Sequence, residues 1–323
     1  MCTAVSFKTR DHYFGRTLDL EYHYNEQVVI TPRAYLLPFR KIGQMRRHYA
    51  LIGMATVADG YPLYYEATNE KGLSMAGLNF PGNAFYPGET AGKENIAPFE
   101  FIPWVLGQCD DVQQARELLQ RINLVNVPFG QEFPLSPLHW MIADREACIV
   151  VESMEDGLHI HENPACVMTN NPPFPMQLMN LNNYMHLSCE PAVNRFGGNI
   201  PLQAYSRGMG AMGLPGDLSS MSRFVRAAFV RANSLCGESE EESVSQFFHI
   251  LGAVEQQRGC VRLEKGNEIT VYTSCCNTDK GIYYYTTYDN RCITGVDMHK
   301  EDLAGGRLIC YPLRLEQNIV MEK

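Results

Sequence analysis

The order of strand-like and helix-like segments is the feature that most restricts the folds open to this chain of 323 residues. Strand spacing bounded by turn signals predicts strands at 2–9, 13–20, 27–31, 49–56, 63–67 and 73–79. Helical spacing over 97–122, with Asp110-Asp111 as a cap, predicts two helices. The pattern then predicts strands at 138–143, 148–152, 158–161 and 165–169, helices at 175–187, 220–235 and 241–254, and strands at 269–275, 281–287 and 292–298. Short hairpin connections within each run of strands predict α+β layering rather than βαβ repeats.

Composition and charge narrow the class of protein. Nothing that resembles a linker divides the chain, and 45% hydrophobic residues allow a large core, so we expect one domain over residues 1–323. A formal net charge of -9 opposes a nucleic-acid partner. We find no apolar run long enough for a membrane span and no secretory signal, which makes the cytoplasm the expected location. Eleven irregularly spaced Cys fit free thiols in a reducing compartment.

Three patterns that could indicate a metal or a cofactor are weak. Cys275-Cys276 is adjacent and lacks the C-x-x-C spacing of zinc ligands. His159 and His161 are two residues apart, which is typical of a half-exposed strand. Residues 208–213 satisfy G-x-G-x-x-G, but Pro215-Gly216 follows where a dinucleotide site needs a helix. We therefore predict neither a metal nor an organic cofactor.

Cys2 lies directly behind the initiator Met1, in a segment that begins like a strand. Removal of Met1 would leave a thiol and a free α-amine on one residue. An α-amine has a pKa of about 7.7 to 8.0, against about 10.4 for Lys, so it can serve as a general base near neutral pH. By itself, the position of Cys2 is also compatible with chance, because most Cys are small buried hydrophobes.

Several motifs in order along the chain carry a family resemblance. They are Met1-Cys2-Thr3, Phe14-Gly15-Arg16-Thr17-Leu18-Asp19, Asn69-Glu70-Lys71-Gly72-Leu73, Ala76-Gly77-Leu78-Asn79-Phe80, Leu138-His139-Trp140-Met141-Ile142, Thr169-Asn170-Asn171-Pro172, Leu214-Pro215-Gly216-Asp217, Ser222-Arg223-Phe224, Tyr272-Thr273-Ser274-Cys275 and Lys280-Gly281-Ile282-Tyr283-Tyr284-Tyr285. On these residues the chain resembles the choloylglycine hydrolase family, most of all its bile salt hydrolase branch. The resemblance implies an amino-terminal-nucleophile hydrolase fold, which is a four-layer αββα sandwich with two central, mostly antiparallel sheets.

The resemblance also implies catalytic roles. Cys2, after removal of Met1, matches the nucleophile, and its α-amine matches the base. Asp19 matches the carboxylate that orients this amine, and Arg16 matches a charge that raises the thiolate fraction of the nucleophile. Arg223 matches a second arginine at the site. Without the resemblance, Asp19 would be interpreted as a turn cap, Arg16 as a surface strand residue and Arg223, beside Arg226, as part of a solvated helix face.

Two asparagines match the donors that stabilise the oxyanion of the tetrahedral intermediate. The resemblance assigns the backbone N–H to Asn79 and the side-chain amide to Asn170, although Asn is also common in turns after strands. Asn79 separates the bile-salt branch from the penicillin acylase branch, which tends to have Tyr there.

The substrate implied is a bile acid conjugated to glycine or taurine, and a steroid requires an apolar cleft. Candidates for the cleft are Leu18, Phe80, Phe129 and Phe133, with Phe85 and Tyr86 nearby. Arg207, in Ser206-Arg207-Gly208, resembles the taurine-preferring pattern, but it could equally bind the carboxylate of a glycine conjugate. The alternatives are a penicillin V acylase or another N-acyl amide hydrolase on the same scaffold, and a non-catalytic thiol-bearing protein that retains Met1. The resemblance further suggests a homotetramer.

Overall fold

The structure is a computed structural model that describes residues 1–264 and 266–322. The strands in these residues are β1 Cys2–Lys8, β2 His12–Leu20, β3 Gln27–Thr31, β4 Leu37–Phe39, β5 Gly43–Met45, β6 Leu51–Ala58, β7 Tyr61–Asn69, β8 Ser74–Asn79, β9 Glu94–Ile96, β10 Ile122–Leu124, β11 Leu138–Ala143, β12 Cys148–Met154, β13 Gly157–Glu162, β14 Val167–Met168, β15 Arg262–Leu263, β16 Gly266–Asn267, β17 Ile269–Asn277, β18 Ile282–Thr287, β19 Thr294–Asp297 and β20 Ile309–Pro312. The α-helices are α1 Phe101–Leu106, α2 Val112–Leu119, α3 Phe174–Leu181, α4 Ser220–Asn233 and α5 Glu240–Gly252, and short 3-10 helices span Pro98–Glu100, Asn182–Tyr184, Met209–Ala211 and Met298–Lys300.

Two large sheets form the centre of the molecule. One has six strands in the order β14-β1-β2-β17-β18-β19, and the other has eight in the order β13-β12-β11-β8-β7-β6-β3-β20. Every neighbouring pair in these two sheets is antiparallel. The expected α+β class and antiparallel pairing are therefore confirmed.

The sheets pack face to face between two layers of helices. One core cluster joins both sheets to α3, α4 and α5, and a second joins the outer face of the eight-stranded sheet to α1 and α2. Alternate residues of one strand enter different cores: Met141 lies in the first, and Trp140 and Ile142 lie in the second. Because both faces of this sheet are covered, its central strands are apolar almost without interruption. The result is the four-layer αββα sandwich that the resemblance implied.

The turn between β7 and β8 shows how the sequence fixes local geometry. Gly72 has φ of +94°, a conformation in which a side chain would be strained. The buried side chain of Asn69 accepts hydrogen bonds from the N–H groups of Lys71 and Leu73 at 3.0 Å each. Its Nδ2 donates to the carbonyl groups of Leu106 and Cys109. One side chain therefore closes the turn and attaches it to the end of α1.

The predicted segments agree closely with the elements observed, and the missed ones share a cause. Asp111 caps α2 by accepting a hydrogen bond from the N–H of Gln114, as expected. The strands that the sequence did not indicate are β4, β5, β9, β10, β15, β16 and β20, of two to four residues each. Such segments are too short to display a period, and their pairing depends on distant partners. In the described part of the chain, no helix combines the length and apolar character needed to cross a bilayer.

Candidate active site

Cys2 is the first residue of β1 and is almost fully buried, with 3% exposure. It pairs with Leu18 on β2 and lies at the start of the second strand of the six-stranded sheet. Met1 is attached, so the nitrogen of Cys2 is an amide, and it donates to Oδ1 of Asn170 at 2.9 Å. The α-ammonium of Met1 donates to the carbonyl oxygen of Asp19 at 2.6 Å and to Oε1 of Glu268 at 2.7 Å. In this chain the free α-amine therefore belongs to Met1 and not to Cys2.

Asp19 directly follows Leu18, the β2 residue paired with Cys2, and has no exposed surface. Its carboxylate accepts hydrogen bonds from Thr270 at 2.7 Å and from Thr17 at 3.2 Å. Burial raises the pKa of Asp19 to about 6, against the opposing effects of the α-ammonium and of Arg223. The contact expected between this carboxylate and the α-amine of Cys2 is not formed while Cys2 is still joined to Met1.

Arg16 is not a surface strand residue, because its guanidinium lies between the two sheets with 1% exposure. The ladder between β7 and β8 ends at the pair Glu66 and Ala76. Beyond that pair, Nη1 of Arg16 donates to the carbonyl groups of Gly77 at 2.5 Å and Tyr65 at 3.2 Å. Arg16 therefore occupies the gap where the two strands separate.

Glu66 is the counter-ion of Arg16, and the sequence analysis missed it. Its Oε2 lies 3.8 Å from Nε of Arg16, and the hydroxyl groups of Tyr272 and Tyr283 donate to its carboxylate. Burial opposes the charge of Arg16, but nearby Cys2, Tyr272 and Glu66 raise the pKa of the guanidinium above its usual value. An acidic residue inside an otherwise apolar strand was the signal that could have identified Glu66.

Arg223 corrects the interpretation of α4 as a solvated face at this position. It is fully buried, because α4 packs against β1. Nη1 donates to the carbonyl oxygen of Cys2 at 2.5 Å and to Oγ1 of Thr3 at 2.7 Å, and Nη2 donates to Oδ1 of Asn170 at 2.7 Å. Arg226, which shares the pattern, instead donates to the carbonyl oxygen of Ala253.

Asn170 and Asn79 are brought together at the end of β8. Nδ2 of Asn170 donates to the carbonyl oxygen of Asn79 at 2.8 Å. The backbone of Asn170 is held by Oγ of Ser220, which accepts from its N–H at 2.9 Å, and by Nε2 of Gln177, which donates to its carbonyl at 3.2 Å. Neither Ser220 nor Gln177 was identified from the sequence, because nothing in their local pattern indicates a contact with residue 170.

The buried side chains of His139 and Glu152 hold the segment that carries Asn170. Nδ1 of His139 lies 3.0 Å from Oε1 of Glu152, and Nε2 lies 2.9 Å from the carbonyl oxygen of Thr169. Glu152 also accepts from the N–H of Phe174, the first residue of α3. These contacts connect β11 and β12 with the loop that carries Asn170.

A cavity of about 310 Å³ opens beside Cys2, Arg16 and Asn79. Three of the predicted apolar residues line it, namely Leu18, Phe129 and Phe133. Much of its remaining wall comes from the segment between β10 and β11, which contributes Val127, Pro128, Glu132, Pro134, Leu135 and Ser136.

Other predicted cleft residues lie elsewhere. Phe80 is fully buried and stacks on His139, with ring centroids 4.3 Å apart, so it belongs to the core rather than to the cavity wall. Phe85 is exposed, and the hydroxyl of Tyr86 donates to Ser136 O at 3.1 Å. Arg207 is exposed and is not part of the cavity wall. Sequence proximity to Asn79 was a poor guide for Phe80, Phe85 and Tyr86, because much of the wall comes from the segment between β10 and β11.

The described residues contain no group of three or more His, Cys, Asp or Glu side chains arranged to hold a metal ion. His159 and His161 stack on each other at 6.0 Å along β13, as expected for neighbours on one strand face.

Fold and site together define an enzyme that hydrolyses linear amides and bears a cysteine next to its initiator methionine. A sequence model described as "Linear amide C-N hydrolases, choloylglycine hydrolase family" matches residues 2–311, and the chain belongs to this family.

Relatives of known description agree with this assignment. The chain is 55% identical over 317 residues to the bile salt hydrolase/transferase of Lactiplantibacillus plantarum, with 98% of both chains covered. It is 38% identical to the bile salt hydrolase/transferase of Clostridium perfringens, with 96% of both covered. Among solved structures, the C2A mutant of the conjugated bile acid hydrolase from Clostridium perfringens matches with a TM-score of 0.92 at 36% identity over 100% of each chain. Penicillin V acylase from Agrobacterium tumefaciens shares the fold, with a TM-score of 0.74 at 19% identity over 96% of this chain and 90% of that one.

Proposed function

We propose that this chain is a bile salt hydrolase, which cleaves the amide bond of bile acids conjugated to glycine or taurine. The observation that carries the proposal is the position of Cys2 in the wall of an apolar cavity, beside Arg16 and Asn79. The names of relatives at 38% to 55% identity support the same substrate class. An apolar cavity with a few polar groups at one end suits a steroid acid attached to a polar amine.

The proposed reaction begins after hydrolytic removal of Met1. The thiolate of Cys2 attacks the amide carbonyl carbon, and the α-ammonium of Cys2 gives a proton to the departing amine of glycine or taurine. The C–N bond breaks and a thioester remains. The α-amine then takes a proton from water, the resulting hydroxide attacks the thioester, and the bile acid and the thiolate are released.

The surrounding groups have distinct proposed roles. Asp19 receives a hydrogen bond from the newly exposed α-ammonium and fixes its direction. Arg16 places a positive charge near the sulfur, and Arg223 holds Cys2 by donating to the carbonyl oxygen of Cys2. The N–H of Asn79 and Nδ2 of Asn170 donate to the oxyanion, for which Nδ2 must leave the carbonyl oxygen of Asn79.

The remaining expectations are proposals of the same kind. Leu18, Phe129 and Phe133 contact the steroid. Arg207, which is exposed and outside the cavity wall, donates through its guanidinium fork to the sulfonate of taurine or to the carboxylate of glycine. Turnover of both taurocholate and glycocholate that is unchanged in Arg207→Ala would remove Arg207 from this role.

We also propose that the chain acts as one domain over residues 1–323 in the cytoplasm and assembles as a homotetramer. The segment between α3 and α4 supports assembly, because it exposes large apolar side chains at Val193, Phe196, Leu202 and Tyr205. Sedimentation of the purified protein tests the tetramer, and cell fractionation tests the location.

The function is tested by assaying taurocholate, glycocholate and penicillin V side by side, with an intact-mass measurement of the same sample. The proposal expects hydrolysis of both bile salts and loss of the mass of one Met residue. A strong preference for penicillin V would assign the chain to the acylases. Retention of Met1 in protein that binds but does not cleave would favour the non-catalytic alternative.

A further inference from the structure

Among the hydroxyl side chains in the wall of the cavity, two are hydrogen-bonded to each other. They belong to Thr56 on β6 and Tyr65 on β7. The ladder between these strands shifts register, from Met54 opposite Glu66 to Ala55 opposite Tyr64. Tyr65 is therefore the extra residue of a β-bulge. Bulges turn side chains out of the regular alternation and are common beside active sites.

The hydrogen bonds of this pair fix where both of its protons lie. Oγ1 of Thr56 is 2.9 Å from the carbonyl oxygen of Tyr24, which can only accept, so the single hydroxyl proton of Thr56 is directed there. Oγ1 of Thr56 is also 2.9 Å from the hydroxyl oxygen of Tyr65. Because the proton of Thr56 is already used, Tyr65 must be the donor in this second bond. The pair thus has no proton left, and only lone pairs of the Tyr65 hydroxyl remain for a ligand.

We infer that the Tyr65 hydroxyl is a hydrogen-bond acceptor that selects steroids bearing a hydroxyl group at the ring position facing it. This inference rests on the proposed function. A ring hydroxyl can donate to the oxygen of Tyr65. A ring ketone has no proton to donate and would place a second acceptor against the oxygen of Tyr65. On binding, the ketone oxygen loses its hydrogen bond to water and gains none from the protein.

The same proton count predicts that Thr56→Val abolishes the preference. In this variant the acceptor for the Tyr65 proton is gone, so the Tyr65 hydroxyl can donate to a ketone and can still pair with a hydroxyl. In Tyr65→Phe neither substituent has a partner. Thr286→Val is a matched control, because Thr286 is also buried in a strand but lies in the other large sheet and is not part of the cavity wall.

The experiment measures kcat/KM of wild type and these variants for taurine conjugates that differ from taurocholate at one ring position at a time, as hydroxyl, ketone or unsubstituted carbon. At one position the wild type and Thr286→Val should prefer hydroxyl over ketone by about 3- to 10-fold, the range of one net hydrogen bond. Thr56→Val should bring the ratio near one by raising the rate for the ketone, whereas Tyr65→Phe should bring it near one by lowering the rate for the hydroxyl. Equal rates in wild type at every ring position, or a hydroxyl preference that survives in Tyr65→Phe, would overturn the inference.

If the proposed function is wrong, these assays give a result that differs from failure of the hydroxyl inference. If wild type hydrolyses none of the conjugates, the enzyme assignment falls, and the hydroxyl inference is decided by calorimetric binding of unconjugated cholate and its ring ketones to the same proteins. Binding that favours the hydroxyl in wild type but not in Thr56→Val would retain the acceptor role. Binding without that difference would remove it. If Thr56→Val does not fold, wild type and Tyr65→Phe still give different expected ratios.

Discussion

At the scale of single residues, the site depends on which atoms are free to react and which are committed to structure. Cys2 lines the cavity, and its carbonyl oxygen and nitrogen are held by Arg223 and Asn170. Anchoring the backbone restricts the proposed nucleophile to one position, which would reduce the entropic cost of reaching the attacking geometry. The motifs predicted the identity of these residues, but they did not indicate which atoms are held by hydrogen bonds and which are free.

Replacing the sulfur tests the nucleophile. Cys2→Ser should lower taurocholate hydrolysis by about 100-fold or more, because a hydroxyl is a much poorer nucleophile than a thiolate at neutral pH. The urea midpoint should stay near that of wild type, since the two side chains differ by one atom. Cys189→Ser is the control, because Cys189 is exposed. Comparable turnover by Cys2→Ser would contradict the mechanism.

Asn170→Asp separates donation to the oxyanion from anchoring of the backbone. Asp keeps an oxygen for the N–H of Cys2 and for Arg223, but it replaces the Nδ2 donor with an acceptor. We expect kcat to fall by about 10² to 10³ with a smaller change in KM, measured by steady-state kinetics. Asn182→Asp, at an exposed position, is the control. An unchanged kcat in Asn170→Asp would show that Nδ2 is not a donor in the reaction.

At the scale of elements, β1 and β2 form the hairpin that presents the site. β2 carries Arg16, Leu18 and Asp19, and it lies between β1 and β17. Close packing of this hairpin constrains residues that have no chemical role. Two of them, Gly15 and His12, lead to testable predictions. Substitution of Gly15 tests a steric contact, and substitution of His12 tests a protonation.

Gly15 is required because the neighbouring strand β17 leaves no room for a side chain at this position. A Cβ at this position would lie 2.0 Å from the carbonyl oxygen of Ser274, which is backbone and cannot move independently. Gly15→Ala should destabilise the fold by at least about 1 to 3 kcal/mol and reduce soluble expression. Gly88→Ala is the matched control, because nothing lies within 4 Å of its added Cβ. Similar unfolding midpoints for the two variants would refute the steric argument.

His12 makes the hairpin sensitive to acid. It is buried, with Nε2 2.8 Å from Oγ of Ser6 and Nδ1 2.8 Å from Oγ1 of Thr278, and burial lowers its pKa to about 4. The unfolded chain therefore binds a proton more readily than the folded one between about pH 6.5 and 4, and stability is lost as the pH falls through this window.

The variant His12→Asn removes this proton. Its free energy of unfolding should fall less steeply than that of wild type between pH 6.5 and 4, by about 1 to 3 kcal/mol in total, as urea titrations at several pH values can measure. Parallel curves for the two proteins would show that His12 is not the group responsible. His249→Asn, near the end of α5, is the control.

At the scale of the whole molecule, the two sheets are joined by charge as well as by apolar packing. Arg16 comes from the six-stranded sheet and Glu66 from the eight-stranded sheet, and neither side chain is more than 2% exposed. A buried ion pair gives little net stability when complete, but removing one partner is costly because the other charge is left unpaired. The charge beside the nucleophile thus depends on contact between the layers.

Glu66→Gln should lower the free energy of unfolding by about 3 to 5 kcal/mol, because Arg16 loses its buried counter-ion. Glu89→Gln removes the exposed partner of Lys41 and should change stability by less than about 1 kcal/mol. Urea denaturation of the three proteins at pH 7 makes the comparison. Equal stabilities of Glu66→Gln and Glu89→Gln would mean that Arg16 does not depend on Glu66.

The sequence by itself determined the order of strands and helices, the layered class, and the presence of Cys2 directly behind Met1. Strand and helix periods and turn residues are local signals, so the longer segments were predicted almost to their ends. The motif matches also identified Arg16, Asp19, Asn79, Asn170 and Arg223 as members of one site.

Only the tertiary structure decided which side chains meet. Arg223 contacts Cys2 across 221 residues of sequence, and its helix pattern indicated solvent instead. Phe80 lies in the core, where it stacks on His139. Much of the cavity wall comes from the segment between β10 and β11, which matches none of the motifs. The bulge that turns Tyr65 toward the cavity arises from the pairing of two strands. Burial and hydrogen bonding between distant segments have no local signal, because their free energy exists only once the layers have packed.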